Sequence, residues 1–100
     1  MPKDNTGVRQ KIHTDIKEPR KFKVIMHNDD VTTMDFVVEV LMTIFHKPQA
    51  EAERLMLTVD SQGSAVVGIY SLDIAETKRQ RTENMARKQG FPLRLTLQPE

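Results

Sequence analysis

The chain has 100 residues, 38% hydrophobic and 29% charged, which suits one domain with an adequate but not large core. Its net charge of +1 gives no strong field for nucleic acid or membrane, and the lack of cysteine excludes disulfides, thiolate metal sites and cysteine nucleophiles. No apolar run approaches the roughly 20 residues needed to span a bilayer, and the polar N-terminus does not read as a signal peptide, so a cytoplasmic location is expected.

Residues 1–21 hold few apolar side chains, Val8, Ile12 and Ile16, and are net basic through Lys3, Arg9, Lys11, Lys17, Arg20 and Lys21 against Asp4, Asp15 and Glu18. They read as a flexible extension, either inert or an arm that touches a partner. Residues 22–100 read as one folded domain. Phe22 to His27 is β-branched and apolar enough for a strand. Thr32 reads as an N-cap, with Asp35 three residues on in a capping-box-like pattern. Phe36, Val37, Val40, Leu41, Ile44 and Phe45 then recur at helical spacing. Pro48 suits the first turn of a second helix, Glu51 complements its positive end, and Ala52, Leu55, Met56 and Val59 share a face.

Ser61-Gln62-Gly63 reads as a turn into a second strand, Ser64 to Tyr70. Ala65, Val67 and Ile69 alternate with Val66, Gly68 and Tyr70, and two largely apolar faces predict a central position in the sheet. Ser71 can cap a third helix, with Leu72, Ala75, Thr82 and Met85 as its inner face and Gly90 at its end. Pro92 opens a last strand in which Leu93, Leu95 and Leu97 alternate with polar residues. The predicted order is βααβαβ.

Asn28-Asp29-Asp30 puts three acceptor-rich side chains at a strand-to-helix corner. Turn chemistry is their commonplace role, because Asn and Asp satisfy backbone donors at corners. A corner of this kind could instead hold a cationic head group while adjacent apolar surface takes its tail. A hard-cation site is not supported, since the alternating ligands and closing Glu of an EF-hand loop are missing. Met26, Met34, Met42, Met56 and Met85 either fill the core or line an adaptable apolar groove. Met34 falls in a first helical turn beside the corner, where it can form a pocket rim.

His13, His27 and His46 are not spaced as a zinc site and suit plain surface roles, His46 near a helix C-terminus. The basic run Lys78, Arg79 and Arg81 reads as a solvated face or a protein contact; no aromatic residues interleave it for base stacking. No Ser or Thr has His and a carboxylate at catalytic spacing, and there is no glycine-rich phosphate loop. The local chemistry favours a binding module over an enzyme, with no cofactor.

Several blocks in order carry a resemblance: Lys23-Val24-Ile25 leading into Asn28-Asp29-Asp30, then Thr32 and Met34-Asp35-Phe36, Leu55-Met56-Leu57, Gln62-Gly63, and Ala75-Glu76-Thr77-Lys78. Together they span about Phe22 to Leu97 and resemble the ClpS adaptors, which deliver proteins with particular N-terminal residues to the AAA+ unfoldase ClpA of the ClpAP protease. The resemblance implies an α+β domain, a three-stranded antiparallel sheet packed against three helices, with no catalytic activity. It implies a pocket for a substrate's first residue when that is Leu, Phe, Tyr or Trp with a free α-amine. Asn28 and Asp29 match the family's amine contacts. Asp30, Thr32 and Met34 match the pocket wall and rim, and Val37, Leu41, Met56, Val59 and Leu93 would line it. Asp73 and Lys78 match positions that dock on the unfoldase's N-terminal domain, and the N-terminal extension is implied to assist hand-over.

One position departs from the family pattern. Where the resemblance calls for histidine after the second helix, the chain carries Asp60. An ionised aspartate only accepts hydrogen bonds, whereas histidine can donate or accept. Asp60 therefore either adds negative charge to the amine site or turns away and caps the turn, and a variant substrate range follows from the first alternative. The expected partners are substrate N-termini and a ClpA-type unfoldase, with no nucleic acid and no membrane, for a monomeric adaptor. The rival reading is a small interaction domain that modulates a partner without gripping N-termini.

Overall fold

A computed structural model describes residues 20–100 of the chain. The expected N-terminal extension and His13 lie outside the described residues, apart from Arg20 and Lys21. Six elements follow in order: β1 (Lys21–His27), α1 (Met34–Thr43), α2 (Gln49–Gln62), β2 (Ser64–Ser71), α3 (Leu72–Lys88) and β3 (Arg94–Pro99). This is the expected βααβαβ order, and all pairings in the sheet are antiparallel.

The strand order is β2-β1-β3, so β1 is central and β2 is an edge strand, which corrects the central position expected for β2. The expectation applied a rule for sheets covered on both faces. Here one face stays open: Val66 and Ile69 of β2 are each 42% exposed. The regular alternation predicted for β2 also fails, because the register slips between Val24 and Ile25 of β1, pairing Val24 with Gly68 but Ile25 with Val66. Val67 is the extra residue of this bulge, and it is buried. On the covered face Val24 and Met26 are fully buried, and α3 packs across all three strands.

The helix boundaries follow local chemistry. Thr33, not Thr32, is the N-cap of α1: its backbone is extended and its hydroxyl accepts the Phe36 N–H at 3.2 Å. Thr32 is engaged elsewhere, as described below. After α1 the chain turns left-handed at His46 (φ 58°), and Lys47 N–H donates to the Leu41 carbonyl at 2.9 Å. Pro48 precedes α2 as its cap, and α2 continues through Ser61 and Gln62, so the predicted three-residue turn shrinks to Gly63. Gly63 has φ 90°, a conformation that L side chains rarely adopt, and its N–H donates to the Val59 carbonyl at 3.0 Å. α3 ends through Gly90 at φ 81°, with Phe91 N–H on the Ala86 carbonyl at 2.9 Å.

The core joins Val24 and Met26 of β1 to Phe36, Val40 and Leu41 of α1, Leu55 and Val59 of α2, and Leu93 and Leu95 near the C-terminus. Phe36 meets Phe91 edge-on, with centroids 5.1 Å apart. On α3 the buried residues are Ala75, Thr82 and Ala86, with Met85 half-buried against the core. Leu72, expected on the inner face, is 45% exposed because it opens the helix at the edge of the sheet.

Candidate functional site

The corner after β1 is built by its own side chains. Asn28 N–H donates to the Gly63 carbonyl at 2.9 Å, which ties the corner to the left-handed end of α2. The Asp29 carboxylate accepts three bonds: Val31 N–H at 2.8 Å and Thr32 N–H at 2.7 Å on Oδ1, and the Thr32 hydroxyl at 2.7 Å on Oδ2. Turn chemistry is therefore one real function of Asp29. Burial works against its charged form, but the Thr32 and Val31 hydrogen bonds, with the positive charge of Arg87, outweigh it and hold the carboxyl below its ordinary value.

These contacts form one side of a pocket of about 290 Å³ between the corner, the start of α1 and the end of α2. Its lining is Asn28, Asp29, Asp30, Thr32, Met34, Val37, Met56, Val59 and Asp60. The pocket is slightly smaller than the roughly 300–1,000 Å³ of sites for drug-sized ligands, a size suited to one amino-acid residue. The polar side holds one amide and the carboxylates of Asp29, Asp30 and Asp60, and among the described residues no Lys or Arg lines it. The apolar side is Val37 and Val59, both buried, with Met56 half-buried. Met34 stands 48% exposed at the mouth.

Most of the expected site residues thus converge, although they come from three separate segments. Asp60 faces the pocket along with the corner, from the last turns of α2. Leu41 and Leu93 do not reach the pocket surface; at 0% and 1% exposure they belong to the core.

Asp73 lies in the first turn of α3, between the exposed Leu72 and Ile74. Lys78 is held within the molecule: its ammonium donates to the Ile44 carbonyl at 2.6 Å and sits 5.3 Å from the Tyr70 ring centroid. Burial, and then Arg81, lower its pKa.

His27 and Thr96 are joined across β1 and β3 by a 2.8 Å side-chain contact, and burial with Arg94 lowers the His27 pKa. No group of three or more His, Cys, Asp or Glu among the described residues is arranged to hold a metal ion.

Two supporting residues escaped the sequence reading. Arg87 Nη1 donates to the carbonyls of Phe91 (2.9 Å) and Leu93 (2.8 Å), holding the turn into β3 while its charge acts on Asp29. Glu83 accepts the Leu95 N–H at 2.9 Å. Nothing in the spacing of Arg87 or Glu83 along the sequence links them to residues near the C-terminus.

Comparison with known proteins gives a consistent picture. A family model described as the ATP-dependent Clp protease adaptor protein ClpS matches residues 17–96. The ATP-dependent Clp protease adapter protein ClpS of Acetivibrio thermocellus is 48% identical over 97 residues, covering 97% of this chain and 98% of the relative. That of Syntrophus aciditrophicus is 54% identical over 82 residues, covering 82% of this chain and 77% of the relative. Among solved structures, Agrobacterium tumefaciens ClpS2 bound to L-phenylalaninamide superposes with a TM-score of 0.80 at 40% identity, covering 83% of this chain and all of that one.

Proposed function

The chain belongs to the ClpS family of ATP-dependent Clp protease adaptors, and from that premise we propose that its pocket receives the first residue of a protein to be degraded. As an adaptor it is not an enzyme. The proposed ligand has a free α-amine and a bulky apolar side chain: Leu, Phe, Tyr or Trp. The observation that carries this reading is the union of acceptors and buried apolar surface in one small pocket. A relative binds L-phenylalaninamide, which has the same two parts, a free amine and an aromatic side chain.

The roles divide as follows. An ammonium group brings three N–H donors, and a carboxylate offers stronger, charge-assisted acceptors. Asp29 already accepts three bonds, of about four lone-pair sites in a carboxylate, so it has room for about one more. Asn28 and Asp60 supply the other acceptors, and Asp30, Thr32 and Met34 shape the wall and rim. Val37, Met56 and Val59 contact the side chain, with Leu41 and Leu93 supporting them from the core. A β-branched Val or Ile would press a methyl group on the rim at Met34.

Asp60 lies near the negative end of α2, in a helix with no basic residue in its last turn. A negative charge is disfavoured there by about 0.3–1 kcal/mol. A bound ammonium would offset that cost, which favours the amine role for Asp60 over a purely local one.

The bound substrate would pass to a ClpA-type unfoldase docked through the surface of α3 that includes Asp73. Lys78 would contribute to that surface mainly by fixing its shape, given its bond to Ile44. Residues 1–21 would act as an extension in hand-over, beside a monomeric core domain of residues 22–100 working in the cytoplasm.

Calorimetric titration with peptides beginning Phe, Val and acetyl-Phe tests the reading. Phe-initiated peptide should bind, and acetylation should cost about tenfold or more, since unpaired buried acceptors cost roughly 1–3 kcal/mol. Equal or absent binding of all three would leave a plain interaction domain as the better description.

A further inference from the structure

The turn from α3 into β3 is held by Glu83 and Arg87, which stand four residues apart and so share one side of α3. Arg87 Nη1 donates to the Phe91 carbonyl at 2.9 Å and to the Leu93 carbonyl at 2.8 Å. Glu83 accepts the Leu95 N–H at 2.9 Å and is itself held by Arg79 at 3.2 Å. These bonds fix the backbone on both sides of Leu93.

The segment so fixed supports the pocket by two routes. The Phe91 ring lies edge-on against Phe36, with centroids 5.1 Å apart, and Phe36 is followed on α1 by Val37 of the pocket wall. Leu93 belongs to the same buried cluster as Val37 and Val59. Arg87 therefore anchors backbone whose side chains pack behind the apolar wall.

The charge of Arg87 is not used up in this task, because both of its bonds go to neutral carbonyls. The pocket in turn gathers like charges: Asp29 and Asp30 from the corner and Asp60 from α2, while Met34 and Val37 of α1 add none. Carboxylates that share a site disfavour one another's ionisation. Arg87 stands outside the pocket lining, so it can offset them without contact with a bound amine. At Asp29 its charge acts after burial, which opposes ionisation, and after the Thr32 and Val31 bonds, which favour it.

We propose that Arg87 is a positioning residue for the substrate's first residue: it fixes the backbone behind the apolar wall and supplies the counter-charge that lets several carboxylates face one amine. The proposal rests on the first-residue reading of the pocket. The guanidinium is exposed, so the charge effect is moderate and weakens with salt. The plain alternative is a helix-end role, in which a basic side chain in the last turn bonds nearby carbonyls and complements the helix dipole. Such a role bears on stability and leaves the pH dependence of binding unchanged.

The test titrates L-phenylalaninamide into the parent, Arg87→Lys, Arg87→Gln and Arg87→Met at a series of pH values. Below about pH 6 the ligand's amine is fully charged, its ordinary value being about 7.7–8.0, so the loss of affinity on acidification reports on the protein. NMR of the unliganded protein follows the Asp29 carboxyl and, separately, the His27 imidazole that precedes the corner. In Arg87→Met and Arg87→Gln the acid loss of binding should move to higher pH together with the Asp29 signals. Affinity at neutral pH should also fall about fivefold as the wall loosens. Arg87→Lys keeps the charge and the donors at similar reach, and should restore the parent's pH profile.

If either readout stays at the parent's level in both Arg87→Gln and Arg87→Met, the proposal is overturned and the helix-end role stands. An Arg87→Lys profile displaced as far as that of Arg87→Gln overturns it too. Arg87→Gln retains a donor and keeps the test decisive if Arg87→Met does not fold. If L-phenylalaninamide fails to bind the parent, the first-residue reading fails and this proposal with it; in the other failures that reading survives.

Discussion

Asp29 and Asp60 show two ways in which a carboxylate serves one pocket. Asp29 organises its own loop, so Asp29→Ala should cost about 2 kcal/mol of stability, because hydrogen bonds to charged groups are worth roughly 1.5–3 kcal/mol. Chemical denaturation would read that loss, and peptide binding should fall with it as the corner loosens. Asp60 should behave in the opposite sense. Asp60→Asn removes a charge from the wrong end of a helix and should leave stability unchanged or raise it by up to about 1 kcal/mol. The same change should weaken binding of a Phe-initiated peptide several-fold. Parent-like affinity in both Asp60→Asn and Asp60→Ala would remove Asp60 from the proposed amine site. Thr32 and Thr33 also divide their work. Thr33→Ala should cost α1 about 1 kcal/mol as a lost N-cap, whereas Thr32→Ala should act through Asp29 and the pocket.

At the scale of elements, the two helices that frame the pocket are held from outside themselves. The end of α1 is fastened to α3 by the Lys78 bond to Ile44, with the Tyr70 and Phe45 rings around the ammonium. Lys78→Met keeps most of the apolar packing and removes the bond and the cation, and should cost about 1–2 kcal/mol. If Lys78→Met lowers unfoldase binding without any change in melting temperature, Lys78 is a direct contact and its structural role is minor. Gly68 has a related part: a Cβ there would collide with the Tyr70 ring. Gly68→Ala should displace that ring and disturb the setting of Lys78. Near the pocket, Gly63 allows the left-handed turn whose carbonyl receives Asn28 N–H. Gly63→Ala should cost about 1–2 kcal/mol, the penalty for a left-handed L residue, and should shift the corner against α2.

For the molecule as a whole, two depressed pKa values act in the same direction on acid stability. His27 is lowered by burial and Arg94, and Asp29 by its hydrogen bonds and Arg87 against the opposing effect of burial. In both cases the unfolded chain binds protons more readily than the folded one, so stability falls as pH falls. The His27 part is present above the unfolded value of about 6.5 and is lost below it. The Asp29 part is present above about 3.9 and is lost as pH falls through the lower folded value. Melting temperature should therefore decline in two steps on acidification, and His27→Gln should remove the upper one. The open face of the sheet matters at this scale too. It exposes Val66 and Ile69, and it explains why a strand with two apolar faces lies at the edge.

The sequence by itself determined the six elements and their order, because apolar period, glycine and proline positions are local properties of the chain. It also named the pocket's residues, through ordered blocks resembling a known family rather than through their chemistry alone. On chemistry alone, Asn28-Asp29-Asp30 reads first as a turn and only second as a site, and the structure shows Asp29 making that turn. Only the tertiary structure decided the sheet order, the bulge at Val67, the holding of Lys78 and the reach of Arg87 from α3 to the Leu93 carbonyl. It also decided which apolar residues form pocket wall and which, like Leu41 and Leu93, stay in the core. These features depend on which surfaces meet across dozens of residues, and no local pattern encodes that. Asp60 combines both kinds of information: the sequence marks it as a departure, and folding α2 against the corner brings its carboxylate to the same small pocket as Asn28 and Asp29.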